Sequence, residues 1–237
     1  MPGAVNFKLA ALVDGWRRVW PSRCLACGGR GADGRDLCTA CHAGLPWLHH
    51  ACPRCALPLP GPATACGACL SEPPPLDAIH AAFLYAPPLD RLLPRFKFHG
   101  DLATGRLLAT LMQEAAPSLP PDAAIVPVPL HRKRLRMRGY DQALELAKPL
   151  AAACGLPLRD DLLRRARATA AQSRLHADQR KRNLRNAFEL DASVVLPSCV
   201  VLVDDVMTTG ATLHAAARAL RKAGIAWVEA WVCARVP

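Results

Sequence analysis

A chain of 237 residues suffices for one good-sized domain, or for one domain and a small companion. With 51% apolar residues it can bury a true core, yet no uncharged apolar run of about eighteen residues occurs, which excludes a transmembrane helix. The formal net charge of +11 favours phosphate-rich partners, whether nucleotides or nucleic acid.

Residues 1–20 read as a short amphipathic helix, with Phe7, Leu9, Leu12, Trp16, Val19 and Trp20 near helical spacing and Pro21 as its end. Lys8, Asp14, Arg17 and Arg18 interrupt it, so there is no signal-peptide core, and a cytoplasmic location is the expectation. Eight of the eleven cysteines then fall between Cys24 and Cys69. In a reducing compartment that clustering points to metal rather than to disulfides.

The cysteines form a repeat. Cys24-x-x-Cys27, Cys38-x-x-Cys41, Cys52-x-x-Cys55 and Cys66-x-x-Cys69 recur every 14 residues. Each C-x-x-C turn sets two thiolates on one face, and two such turns complete a tetrahedral zinc site. Four turns imply two zinc ions. The simplest pairing is Cys24/Cys27/Cys38/Cys41 with Cys52/Cys55/Cys66/Cys69, and an interleaved pairing has the same spacing. Filled by four cysteines, neither site keeps a position for water, so both are structural. A segment this short and poor in large apolar residues takes its folding energy from the metal. We therefore read residues 21–75 as a double zinc ribbon, closed by the stiff connector Glu72-Pro73-Pro74-Pro75.

Residues 76–237 form the second region. Ala78 to Tyr85 alternates like a strand, Leu89 to Arg95 is a short helix broken at Pro94, and residues 102–116 are helical. Lys97 and His99 lie between these helices and could face an anionic ligand. Ala123 to Leu130 is an apolar strand running into a basic loop, His131 to Arg138, with Arg132, Lys133, Arg134, Arg136 and Arg138. Ligands bind at the carboxyl ends of strands in open α/β sheets, and guanidinium forks match diphosphate oxygens. Nucleic acid is a rival partner for the same residues. Asp141 to Cys154 is a helix capped by Gly155, and Leu156 to Leu163 reads as a strand. From Arg164 to Arg185 the chain carries eight Arg and Lys residues and one acid, a pattern that suits a lid over a pyrophosphate leaving group. Ala187 to Leu190 resumes a strand. The alternation of strands and helices from 123 onward argues a central parallel sheet flanked by helices.

Val200 to Val203 is a short buried strand. Asp204 and Asp205 follow, then Val206, Met207 and a hydroxyl-rich turn, Thr208-Thr209-Gly210-Ala211-Thr212, then an alanine-rich helix to Ala223 and a last strand from Ile225 to Ala234. A strand–turn–helix points backbone N–H groups at one spot, which favours a phosphate. Two carboxylates repel a phosphate but suit a neutral polyol beside it, or a metal. A pentose phosphate has both parts. The stretch resembles the motif of type I phosphoribosyltransferases that binds phosphoribosyl pyrophosphate (PRPP). The resemblance implies that Asp204 and Asp205 hold the ribose hydroxyls at the reaction centre. It also implies that Met207, Thr208, Thr209, Gly210, Ala211 and Thr212 wrap the 5′-phosphate.

Nearly the whole chain resembles the ComF (ComFC) family of competence proteins. The likeness rests on the cysteine turns before Leu45-Pro46, on Cys66-Gly67-Ala68-Cys69-Leu70, and on Tyr85 with Phe96-Lys97. It continues through Val126-Pro127-Val128-Pro129-Leu130 and Arg138-Gly139-Tyr140-Asp141-Gln142. In the basic segment it takes in Thr169, Gln172, Leu175, Arg180, Asn183, Ala187 and Phe188, and it ends on Val203 to Thr212. Tyr140 and Asp141 stand where the family usually has Phe and Asn. The resemblance implies an α/β fold of the type I phosphoribosyltransferase kind behind a double zinc ribbon, with residues 76–120 as a hood that meets the acceptor. It implies PRPP with Mg2+ as ligand, the diphosphate being held by Arg132, Lys133, Arg134, Arg138, Gln172 and Arg180. It further implies a role in DNA uptake, with single-stranded DNA and a helicase-like competence ATPase as partners. A non-catalytic DNA-binding scaffold is the second reading, and a nucleotide salvage or biosynthesis enzyme the third.

Overall fold

The computed structural model describes residues 22–166, 187–191 and 194–237. The helix expected over residues 1–20 and most of the basic segment, including Gln172 and Arg180, lie outside the described residues. The chain divides into two compact units between Leu45 and Pro46.

In the first unit the Cys24 N–H bonds to the Gly29 carbonyl and the Gly28 N–H to the Cys24 carbonyl, each at 2.8 Å, which closes the first turn. Gly28 sits at φ +78°, a conformation that glycine adopts without a Cβ clash. The second pair of cysteines opens helix α1 (Thr39–Ala43), with Cys38 as its N-cap.

The second unit repeats this design. The Cys52 N–H bonds to the Leu57 carbonyl and the Ala56 N–H to the Cys52 carbonyl, again at 2.8 Å. Cys66 precedes helix α2 (Gly67–Ser71), which carries Cys69. This ribbon is bonded to the sheet that follows. The Ile79 N–H donates to the Pro53 carbonyl at 2.8 Å, and Ala56 belongs to the same buried cluster as Leu76 and Ile79.

The strands of the described residues are, in chain order, β1 (Ala78–Leu84), β2 (Ala123–Pro127), β3 (Leu163–Arg165), β4 (Phe188–Leu190), β5 (Cys199–Met207) and β6 (Trp227–Arg235), and four of them form a parallel sheet. In these labels, used from here on, the sheet order is β1-β6-β5-β2, and β3 pairs antiparallel with β4 apart from it. Register is set by pairs such as Ile125 with Val201 and Val203 with Trp231. Both faces of the central strands are buried. Val200, Leu202, Val228, Ala230 and Val232 join one cluster with helix α7 (Ala211–Lys222), while Val201, Val203, Trp231 and Cys233 are buried on the alternate positions. Helices α4 (Leu102–Glu114) and α6 (Gln142–Cys154) pack on each other; α6 covers β5 and β2, and α4 reaches β6. Among the described residues no helix is long and apolar enough to cross a membrane.

Several local expectations are corrected. Helix α3 (Leu89–Phe98) runs through Pro94 instead of breaking there. One backbone hydrogen bond is lost, but Leu92, Leu93 and Phe96 are buried on the same helix, and that burial outweighs it. The basic stretch is not a loop. It forms a helix, α5 (Arg132–Arg138), between the His131 N-cap and Gly139, a left-handed C-cap at φ +82°. The strand expected over residues 156–163 is reduced to a bridge between Leu158 and Ile125, and pairing resumes only at Leu163.

Candidate functional site

Parallel order places the carboxyl ends of β5 and β2 side by side, and the Val128 N–H still bonds to the Val203 carbonyl at 2.9 Å. The segments leaving these two strands therefore meet. Asp204 and Asp205 lie in the last turnings of β5. Asp205 is buried, and its carboxylate is held by Lys97 Nζ at 2.9 Å from Oδ1 and 2.8 Å from Oδ2. Lys97 comes from the last turn of α3, so β1 and its following helix supply the counter-ion. Among the described residues no cation is in such contact with Asp204. Its burial, then the charge of Asp205, push its carboxyl up to about 7, against the pull of Lys97. The site thus holds one carboxylate paired with a lysine and one that takes or releases a proton near neutrality.

The turn after β5 leads into a helix N-terminus. Gly210 is the N-cap of α7 in the left-handed region, and among the described residues no side chain caps the helix. Its first N–H groups therefore face the turn, where they and the helix dipole favour negative charge. Gly210 sits at φ +73°, where any Cβ is strained, and a Cβ there would also have to displace the flexible end of Met207, whose Cε lies 2.6 Å away. Thr208 and Thr209 are exposed at the turn. Met207 ends β5 with its side chain in the core and its carbonyl bonded to the Val236 N–H at 2.9 Å; Ala211, the first residue of α7, is also buried.

Helix α5 brings its cations to the neighbouring strand end. Arg132, Lys133 and Arg136 are exposed. Burial, then the charge of Arg138, lowers the Arg134 guanidinium from its ordinary value. Arg138 donates to Gln142 Oε1 at 2.7 Å and lies 5.1 Å over the ring of Phe98. Asp141 fixes this excursion at both ends. Its Oδ2 accepts from the Leu130 N–H at 2.9 Å, and its Oδ1 accepts from the N–H groups of Ala143 and Leu144 at 3.0 and 3.3 Å. Asp141 is thereby the cap of α6 and the clasp of the α5 loop. Both oxygens accept, a task for which an asparagine has only one suitable atom.

Arg165 was not singled out from the sequence. It is the buried, inward residue of β3, 5.3 Å over the Phe188 ring. Burial lowers its guanidinium to about 10, the Arg134 charge adds to this, and Asp204 and Asp141 oppose it. Arg134, Arg165, Asp141 and Asp204 therefore share one electrostatic neighbourhood. The available signal was the alternation of Leu163, Arg164 and Arg165, which turns Arg165 inward.

The two cysteine groups are resolved as the sequential pairs. The sulfurs of Cys24, Cys27, Cys38 and Cys41, and those of Cys52, Cys55, Cys66 and Cys69, each lie within 4.8 Å of one another. Zinc–sulfur bonds of about 2.3 Å in a tetrahedron place sulfurs about 3.8 Å apart. The Cys27–Cys38 and Cys55–Cys66 separations are 3.8 and 3.6 Å, so the residues fit zinc. Burial alone would raise the Cys24 and Cys52 thiols. Backbone N–H groups of Cys38, Cys27 and Ala26 bring the first down to about 6, and those of Cys66, Arg54 and Cys55 bring the second to about 7. One thiol of each group is so held towards the thiolate that binds metal, whereas hydrogen bonding to Cys38 pushes the Cys41 thiol up and burial pushes the Cys69 thiol up.

Comparison with known proteins agrees with both halves. The double zinc ribbon domain matches residues 16–70, and the phosphoribosyl transferase domain matches residues 141–237. The chain is 38% identical over 205 residues to the DNA utilization protein YhgH of Salmonella typhi, covering 84% of this chain and 90% of the relative. It is 35% identical over 222 residues to competence protein F of Haemophilus influenzae, covering 90% and 96%. To competence protein ComFC of Streptococcus pneumoniae it is 28% identical over 144 residues, covering 61% and 62%. The chain belongs to the ComF family of competence and DNA-utilization proteins, with a double zinc ribbon ahead of a phosphoribosyltransferase domain.

Proposed function

We propose that the protein binds PRPP and transfers its phosphoribosyl group to an acceptor in the course of DNA uptake or utilization. The observation that supports this most is the pairing of a side-chain-free helix N-terminus after Gly210 with the adjacent acids Asp204 and Asp205. The 5′-phosphate would lie on the N–H groups and hydroxyls of residues 208–212, and the ribose hydroxyls on the two carboxylates. The diphosphate would face Arg132, Lys133, Arg134 and Arg138, with Gln172 and Arg180 from the basic segment. Asp204 offers the hard oxygen donors that Mg2+ prefers, and Mg2+ supplies charge neutralisation on the diphosphate when bound.

In the transfer an acceptor lone pair forms a bond to the anomeric carbon as the bond from that carbon to the diphosphate oxygen breaks. The electron pair leaves with the diphosphate, and the acceptor loses its proton to a base or to solvent. Positive charge builds on the ribose ring and is favoured by Asp204 and Asp205; negative charge on the leaving group is favoured by the arginines. The test is a screen for PRPP-dependent diphosphate release against free bases, amines and single-stranded DNA. Release with one acceptor class, abolished in Asp204→Ala/Asp205→Ala, supports the reading. Absence of release with every class removes the transfer step.

The exposed cations of α5 support a second reading, in which single-stranded DNA is held without transfer. Phosphate-led binding weakens steeply with salt. DNA affinity that stays constant from low to high salt would eliminate it.

A further inference from the structure

Arg235 is the last residue of β6 and is only 8% exposed. A buried arginine must satisfy its donors, and those of Arg235 go to backbone carbonyls in two different parts of the second unit. Its Nε donates to the carbonyl of Cys55 at 3.0 Å. Its Nη1 donates to the carbonyl of Met207 at 3.4 Å and also meets the carbonyl of Val236. Cys55 is a ligand of the second four-cysteine group. Met207 is the residue immediately before the anion-binding turn, and its carbonyl also takes the Val236 N–H. One side chain therefore ties a zinc turn to the base of the phosphate turn. The backbone around it is fixed as well, since the Tyr85 N–H bonds to the Arg235 carbonyl at 2.8 Å and Met207 pairs with Arg235 across β5 and β6.

We infer that Arg235 is a positioning residue through which the second zinc site sets the conformation of the turn at residues 208–212. With metal bound, four thiolates around one divalent ion carry a net negative charge, which the adjacent guanidinium offsets. Loss of the metal lets the Cys52–Cys55 turn relax, so Arg235 loses the Cys55 carbonyl. A lysine cannot replace it, because a single ammonium lacks the fork that spans two carbonyls. The coupling rests on the phosphate-turn reading for its functional meaning, but not for its existence.

The experiment separates the two. Backbone amide exchange at residues 207–213 is followed in the zinc-loaded full chain and after chelation, with no ligand present. Chelation is expected to speed exchange there on the order of tenfold, the usual scale of site-to-site coupling. In zinc-loaded Arg235→Met the turn is expected to exchange as fast as in the stripped wild type, with chelation adding little and the metal content unchanged; Arg235→Lys is expected between the two. Unchanged exchange in the stripped wild type overturns the inference, whatever the variants do. So does an equal acceleration by chelation in wild type and Arg235→Met. A calorimetric titration with PRPP and Mg2+ on the same samples reads the function: affinity that falls on chelation in wild type extends the coupling to the ligand. Absence of PRPP binding to zinc-loaded wild type removes the PRPP reading and leaves the exchange result standing.

Discussion

Asp204 and Asp205 are neighbours in the chain but differ in what surrounds them. Lys97 pairs with Asp205, and among the described residues no cation does so with Asp204, whose carboxyl is pushed up to about 7 by burial and by Asp205. A folded-state carboxyl raised above its ordinary value keeps a proton that the unfolded chain has released. Its ionisation therefore costs stability progressively as pH rises from about 4 to about 7, and the full cost persists above that. Asp204→Asn is expected to stabilise the fold at pH 8 by roughly 1–2 kcal/mol, a figure reduced for partial exposure, with the gain fading by pH 4. Thermal melts of both proteins across that range check it. The converse holds for Lys97→Met, which strands the Asp205 charge. It is expected to destabilise by about 1–3 kcal/mol at pH 8, less than a fully buried pair would, as urea titrations would show. The acid pair itself was legible from the sequence. Its counter-ion was not, because Lys97 and Asp205 are 108 residues apart and meet only once β1 and β5 share a sheet. Arg165 is not legible from the sequence for a related reason: in a run of arginines, only the pairing of β3 with β4 decides which one turns inward.

At the scale of elements, the helix that carries Lys97 depends on the one after it. Gly105 lies inside α4, and a Cβ there would come within 2.4 Å of Phe96 Cε2. Phe96 is fully buried and cannot give way. Helix propensity alone would make Gly105→Ala favourable by about 1 kcal/mol. The contact reverses the sign, and the substitution is expected to cost roughly 1–3 kcal/mol in a denaturant titration. Strand β5, its turn and helix α7 were readable in advance, because a continuous apolar run, a small polar turn and an alanine-rich helix are each local signals. Pro94 reads locally as a helix end, but the burial that sustains α3 through it is a tertiary effect. Helix α5 was hidden for the opposite reason. Five like charges in seven residues look like a solvated loop, and the caps at His131 and Gly139 with the Asp141 clasp are what hold them in a helix.

At the scale of the whole molecule, the cysteine repeat fixes two metal sites. The expected metal content is two zinc ions per chain, measured by elemental analysis, with one set held by Cys24, Cys27, Cys38 and Cys41 and the other by Cys52, Cys55, Cys66 and Cys69. The residues around the first set have few large apolar side chains, and chelation is expected to abolish protection of their backbone amides. The second set is bonded to the sheet unit through Ile79 and Arg235, so it belongs to the structure that carries the acid pair. The central claim is that this sheet presents a PRPP site. Isothermal titration of the zinc-loaded chain with PRPP and Mg2+ tests it most directly. Saturable one-to-one binding, weakened at least about tenfold in Asp204→Ala/Asp205→Ala, is the predicted result. No binding by the wild type, or equal binding by the double variant, would contradict it.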